Sequence, residues 1–260
     1  MKTSRNPTGA FRRLTSWAVA AGLLLALSGC ATGPVNPRDP FEAFNRKSLQ
    51  FNEGVDAMVL KPVATVYRKH VPPLVRTGVS NFFGNLTDFW SFANSAMQFK
   101  FRNAAENFMR VNVNTVFGLG GILDVASEFN IERHREDFGQ TLGHWGVPPG
   151  PYLMLPLLGP STLRDALAMT IDRKGDPVHY VSAVDDRYEL YVLRAVDARS
   201  NSLRVGAVLE AAALDKYSFI RDAHLQRRRA EISERDPVDI PAEPADADPE
   251  APKPSAPASR

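Results

Sequence analysis

Residues 101–117 read Phe-Arg-Asn-Ala-Ala-Glu-Asn-Phe-Met-Arg-Val-Asn-Val-Asn-Thr-Val-Phe, and their spacing decides the fold class. Phe101, Ala104, Ala105, Phe108 and Val111 recur three and four apart on one side of a helix, whereas Asn103, Glu106, Asn107, Arg110 and Asn114 fall on the other. A strand would need alternation with a period of two, and no window of the chain sustains that between hairpin signals.

Upstream, the same spacing joins Phe41, Phe44, Phe51, Val55 and Met58, with Leu49 beside them, and Asp39-Pro40 offers a cap and a first-turn proline. Downstream, Thr162 and Asp165 have capping-box spacing ahead of Leu167 and Met169. Residues 183–229 contain no proline, and Leu190, Leu193, Val196, Leu203, Ala207 and Leu214 run through them. An all-α or nearly all-α domain is therefore expected over residues 39–230.

Two segments depart from an ordinary soluble bundle. Residues 82–101 hold seven large aromatics, Phe82, Phe83, Phe89, Trp90, Phe92, Phe99 and Phe101, interrupted by Asn85, Asp88 and Asn94. Aromatic bodies with polar neighbours suit a lipid headgroup boundary, which makes Phe82, Phe83, Phe89, Trp90 and Phe92 candidate membrane-facing residues. A phenylalanine-rich core would give the same pattern, because periodicity does not distinguish a face buried in protein from one buried in lipid.

The second segment is Phe138 to Leu163, twenty-six residues without Lys, Arg, Asp or Glu, carrying five glycines and five prolines. Proline removes backbone donors and glycine loosens the chain, so it is no transmembrane helix; irregular backbone at membrane depth needs protein or a water-filled cavity around it. A loop bent back at Pro148-Pro149-Gly150-Pro151 suits the wall or gate of an apolar passage, with Phe138, Gly143, Gly146, Tyr152, Leu153, Leu155 and Leu157 as lining candidates. The alternative is a buried structural loop. Arg164 and Asp165, just past it, could form a polar track for a headgroup or a buried ion pair.

The chain's single cysteine, Cys30, closes Leu27-Ser28-Gly29-Cys30, which looks like a lipobox. Lys2, Arg5, Arg12 and Arg13 precede an uncharged run from Leu14 to Leu27, the order of an export signal over residues 1–29. A chance cysteine behind an ordinary signal peptide is the alternative. In bacterial lipoproteins the thiol of such a cysteine takes a diacylglyceryl thioether and the signal is cut just before it, and fatty chains such as palmitate hold the protein on the membrane. Ala31 follows it where an aspartate is the usual inner-membrane retention signal, so resemblance to sorted lipoproteins implies the outer membrane. Residues 30–38 are a breaker-rich tether that extends no further than about 3.6 Å per residue, which keeps the domain at the membrane surface.

Residues 231–260 carry eight acids, three bases and seven prolines, a composition expected to be disordered. The part between signal and tail is left mildly basic, too mild to argue for nucleic acid. No G-x-S-x-G, H-E-x-x-H or P-loop occurs, and Cys30 is the lone thiol, so no catalytic set, cofactor or metal is implied. Gly118-Leu119-Gly120-Gly121 lacks the last glycine of a dinucleotide loop. Glu132-Arg133-His134-Arg135-Glu136-Asp137 reads as an acid–base cluster or as a solvated charged turn, and His144 beside Trp145 as a packing histidine.

Asp39-Pro40-x-Glu42-x-x-Asn45-Arg46 with Phe51-Asn52, then Asn81-Phe82-x-x-Asn85-Leu86, then Asn114-x-x-x-Gly118-x-x-Gly121-x-x-Asp124-x-Ala126 form an ordered series of blocks. Phe138-Gly139-Gln140-Thr141-Leu142-Gly143, Gly150-Pro151-Tyr152-x-x-Leu155-Pro156, Arg164-Asp165, and Tyr217-x-x-x-Arg221-Asp222-Ala223 with Gln226-Arg227 continue it. Together they resemble the VacJ/MlaA outer-membrane lipoproteins from the lipobox to about residue 229. Departures are Phe89 for a usual proline, Phe99 for a usual glycine and His224 for a usual tyrosine. The resemblance implies a non-enzymatic role in retrograde phospholipid transport that maintains lipid asymmetry. It also implies a ring of amphipathic helices embedded in the periplasmic leaflet, a trimeric porin partner and a soluble MlaC-like periplasmic carrier. A lipoprotein that only tethers the membrane to a partner is the alternative.

Overall fold

The computed structural model describes residues 39–212 and 215–233. The expected signal peptide, Cys30, the expected tether up to residue 38 and the acidic stretch from residue 234 lie outside them. The regular structure of the described chain is helical apart from one hairpin, as its periodicity predicts. Helix α1 (Glu42–Val55) passes through a π turn (Asp56–Leu60) into α2 (Lys61–His70). Pro62 explains that turn, since it has no N–H for the helical ladder and the hydrogen-bond register widens just before it.

Helix α3 (Pro73–Met97) begins after extended Pro72 and packs antiparallel on α4 (Phe101–Val116). Between them Phe99 adopts φ 60, a left-handed conformation that a glycine enters without steric cost. After α4, the chain turns through Gly118, where a Cβ would lie 2.2 Å from the Leu123 carbonyl oxygen. The short α5 (Val125–Glu128) follows. Helix α6 (Phe138–His144) is fixed by a capping box, in which Asp137 Oδ1 accepts from Gln140 N at 2.8 Å and Gln140 Oε1 from Asp137 N at 3.3 Å.

Within the proline-rich stretch the chain forms β1 (Tyr152–Leu155) and β2 (Gly159–Thr162), paired antiparallel with Tyr152 opposite Thr162 and Leu155 opposite Gly159. The expected irregular backbone is thereby confined to residues 145–151 and the turn at residues 156–158, which lack helix or strand. Thr162 then caps α7 (Leu163–Gly175), its Oγ1 accepting from Asp165 N at 3.3 Å. A 3-10 turn (Pro177–Tyr180) leads to α8 (Val184–Ala212), which lies against α2 and α3. Helix α9 (Lys216–Ser233) packs on α6 and β2 and runs past the expected boundary at residue 230.

Asp39 does not cap α1. It is buried, accepting from the Tyr217 hydroxyl, from Asn45 Nδ2 at 3.2 Å and from Arg221 at 3.1 Å, so it latches the start of the domain to α9. Two asparagines of α1, one heptad apart, hold the hairpin. Asn45 donates to Tyr152 O (3.1 Å) and accepts from Met154 N (2.8 Å), while Asn52 donates to Leu155 O (3.0 Å) and accepts from Leu157 N (2.7 Å). Their amides act as a surrogate strand on the hairpin edge.

The burial pattern is the reverse of a water-soluble bundle. Among the described residues 23 polar or charged side chains are buried against 11 hydrophobic ones, so the interior is not held by apolar packing alone. On α4 the buried residues are Ala104, Asn107, Arg110 and Asn114, while Phe101, Phe108, Val116 and Phe117 are exposed. Leu163, Leu167 and Ile171 on α7, and Val184, Tyr188 and Val192 on α8, repeat that outward stripe. The apolar cluster is small, centred on Tyr152, Met154 and Tyr217 with Leu49, Ile220 and Leu225 against it.

Candidate functional site

Helices α3, α7 and α8 and the hairpin line an open cavity of about 870 Å³. Its lining mixes apolar Leu86, Leu155, Leu158, Ala166 and Met169 with polar Thr87, Thr170, Asp172, Arg173, Asp176, Tyr191 and Arg194. Trp90 forms part of the lining and donates from its indole to Asp172 Oδ1 at 2.8 Å, which the Phe138 amide also reaches at 2.8 Å. Burial pushes the Asp172 carboxyl above its ordinary value, and those two hydrogen bonds oppose the rise. The indole lies so close to α7 that a Cβ at Gly175 would sit 2.1 Å from it, which is why glycine stands there.

Arg194 forks onto Asp176 at 2.6 and 3.1 Å, with its guanidinium 4.9 Å above the Phe83 ring and 6.0 Å from the Tyr191 ring. Its Nε and the Tyr191 hydroxyl are buried without a hydrogen-bond partner. Arg173, across on α7, has no ion-pair partner among the described residues. Apolar side chains and charged donors in one lining suit an amphipathic ligand.

The lining candidates separate along the chain. Leu155 lines the cavity, beside Leu158, which sequence reasoning missed. Tyr152 and Leu153 fall on opposite faces of β1: Tyr152 is buried against Tyr217, with burial raising its hydroxyl's pKa, and Leu153 is half-buried. Leu157 stands at the hairpin tip with φ 65, exposed. Phe138 opens α6 and packs edge-on to Trp145 at 6.4 Å. Gly143 is a close contact between helices, since a Cβ there would come within 2.6 Å of Arg164 and 2.7 Å of Ile232. Gly146 adopts φ 87 in open space.

Of the two readings of Arg164 and Asp165, the structure has the buried ion pair. They are 6% and 7% exposed and enclosed where α6, α7 and α9 meet. Arg164 pairs with Asp165 at 2.9 Å and donates to Val147 O at 3.3 Å; Arg228 pairs with Asp165 at 2.9 Å, with Asp137 at 2.8 Å and with Glu231 at 3.1 Å. Burial alone would raise the Asp165 carboxyl, but the hydrogen bonds and charges of Arg228 and Arg164 outweigh it and hold it below its ordinary value.

Of the aromatic set, Phe83 is a correction: it is 6% exposed beneath Arg194 and cannot face lipid. Phe82 packs on Phe83 at 5.4 Å, Phe92 on Phe108 at 5.4 Å and Trp90 in the cavity wall, all three half-buried, while Phe89 is exposed. Tyr191 and Arg194 were legible only as polar residues one turn apart in a helix otherwise marked by leucine and valine. In the charged turn, His134 Nε2 lies 2.5 Å from Glu106 Oε2, and with Glu132 the ligand atoms fall within 4.8 Å of one another, the one group among the described residues that could hold a metal ion. Arg102 already occupies Glu106 at 3.0 Å, and the His134 hydrogen bond followed by that of Arg102 holds the Glu106 carboxyl below its ordinary value.

Residues 37–231 match the family model described as MlaA lipoprotein. The chain is 33% identical over 219 residues to the intermembrane phospholipid transport system lipoprotein MlaA of Escherichia coli, covering 83% of this chain and 86% of that one. The MlaA lipoprotein of Haemophilus influenzae is 34% identical over 228 residues, covering 81% and 87%. A solved structure from work on the structural basis for maintenance of bacterial outer membrane lipid asymmetry superposes with a TM-score of 0.67 at 34% identity, covering 75% of this chain and 98% of its own. The chain belongs to the MlaA lipoprotein family.

Proposed function

We propose that the protein is an outer-membrane lipoprotein that removes mislocalised phospholipids from the outer leaflet through the cavity between α3, the hairpin, α7 and α8. It then passes them to a soluble periplasmic carrier for return to the inner membrane, which maintains lipid asymmetry. The observation that carries this reading is the inverted burial: helices with polar inward faces and exposed Phe101, Phe108, Leu167 and Val192 suit a ring lying in one leaflet around a polar interior. Among the described residues no helix is long and apolar enough to cross a membrane, which fits a protein that lies within a leaflet. Family membership supports the role in lipid asymmetry, and the relatives' names support phospholipid as cargo.

In this reading Cys30 carries the lipid anchor, residues 30–38 hold the domain at the periplasmic leaflet, and residues 234–260 are dispensable for the passage. A trimeric porin steadies the ring, and an MlaC-like carrier receives the lipid. No bond is made or broken; the chain supplies a path with apolar and polar lining. Ala166→Phe narrows the cavity from α7 without touching an ion pair. It should raise outer-leaflet phospholipid in intact cells to the level of a strain lacking the protein, at unchanged abundance of membrane-bound protein. Normal asymmetry in that strain would rule the passage out and favour a tethering lipoprotein.

A further inference from the structure

We propose that the polar end of the cavity is a phosphate station. There Arg173, the Arg194 Nε–H and the Tyr191 hydroxyl grip the phosphodiester of a diacyl glycerophospholipid, so that the site selects its cargo by the phosphate and not by the group beyond it. This rests on the reading of the cavity as a phospholipid passage.

The donors are present and unspent. Tyr191 and Arg194 stand one turn apart on α8, and Arg173 lies on α7 in the same lining. The two wall carboxylates are already engaged, Asp176 by the Arg194 fork and Asp172 by the Trp90 indole and Phe138 amide. The fork fixes the guanidinium plane and leaves the third edge, Nε–H, with no acceptor in the protein; the Tyr191 hydroxyl is likewise unpartnered. Buried donors in that condition are costly unless something satisfies them, and an acceptor carrying charge satisfies them best. A phosphodiester offers two non-bridging oxygens and one negative charge, while Leu86, Leu155, Leu158 and Met169 supply the surface for its acyl chains.

The lipidated protein in detergent, carrying Trp145→Phe so that Trp90 reports from the cavity wall, is titrated with four probes. These are dihexanoyl-glycerophosphoethanolamine, dihexanoyl-glycerophosphoglycerol, dihexanoylglycerol and inorganic phosphate. Both phospholipids should bind alike and about tenfold more tightly than dihexanoylglycerol, the gap that a charge-assisted hydrogen-bond set provides. Tyr191→Phe, which deletes a partnerless hydroxyl, and Arg173→Gln should each close much of that gap and leave dihexanoylglycerol affinity unchanged. Equal binding of all three diacyl probes, or variants that leave the gap intact, would overturn the phosphate station while the passage stands. Inorganic phosphate binding as tightly as the acylated probes would make this a free-anion site. Failure of every diacyl probe to bind would take down the passage reading itself.

Discussion

Phe108 and Arg110 lie two residues apart on α4, yet Arg110 is 1% exposed and Phe108 is 50% exposed. The guanidinium reaches Asp124 at 2.6 Å, Asp88 at 3.4 Å and the Ser127 hydroxyl at 3.3 Å, and so ties α4 to α3 and to the turn before α5. Burial pushes the Asp88 carboxyl above its ordinary value even with Arg133 and Arg110 beside it. The interior is therefore held by matched charge.

Arg110→Leu takes the forked cation from Asp124 and leaves Asp88 to Arg133 alone, and should cost about 3 kcal/mol, as losing one partner of a buried ion pair does. Thermal unfolding of the purified protein in detergent measures it. Phe108→Ser, on the outward face of the same helix, should leave the unfolding midpoint within a few degrees and instead weaken association with lipid vesicles. If Phe108→Ser unfolds the protein as readily as Arg110→Leu, the inverted assignment of the two faces is wrong.

Asn45→Ala removes one donor and one acceptor from the edge of β1. The stranded Met154 amide and Tyr152 carbonyl, both buried, should cost on the order of 2 kcal/mol. Asn52→Ala acts nearer the tip, where Leu157 is exposed, and should cost less. Amide hydrogen exchange at Met154 and Leu157 separates the two: the first variant should deprotect Met154, and the second Leu157 alone.

The helical period of residues 101–117 and the Thr162 cap were legible because both are local: spacing and side-chain chemistry within one turn decide them. Which face of α4 turns inward was not, since a hydrophobic period marks two faces but says nothing of the medium outside. The hairpin was hidden by Pro156 and Pro160 and by Gly159, which break the alternation, while the asparagines that pair its edge lie about a hundred residues upstream. Arg164 and Asp165 stayed open between a headgroup track and a buried ion pair for the same reason: Arg228, which closes their network, is 63 positions away from Asp165.

His224 predicts a pH dependence. It lies in the core with its ring 6.1 Å from that of Tyr152, and neither ring nitrogen has a partner. Burial, followed by the charges of Arg227 and Arg228 and against those of Asp165 and Glu231, lowers its pKa from 6.5 to about 4. The unfolded chain then binds the proton more readily than the folded one, so stability is full above about pH 6.5 and falls as pH drops toward about 4. The loss should reach about 2 kcal/mol by about pH 5. His224→Phe should flatten that slope in urea unfolding, and an unchanged slope would show that other groups cause it.

Half-buried Leu155 and exposed Leu158 line the cavity from the hairpin, whereas Leu157 between them, as exposed as Leu158, is not part of the lining. A carboxylate set among acyl chains without a partner is costly, and one facing water is not. Leu155→Asp and Leu158→Asp should therefore arrest transport, visible as phospholipid accumulating in the outer leaflet of intact cells while membrane-bound protein stays at its normal level. Leu157→Asp should be milder in that assay, because aspartate tolerates the left-handed φ of 65 at that position and its side chain leaves the cavity clear. The contrast among three neighbouring leucines separates a passage wall from a hairpin that merely packs. A packing role makes half-buried Leu155 the most damaging to stability and leaves asymmetry following protein abundance, while a passage role breaks that proportionality at Leu158, where little stability is at stake.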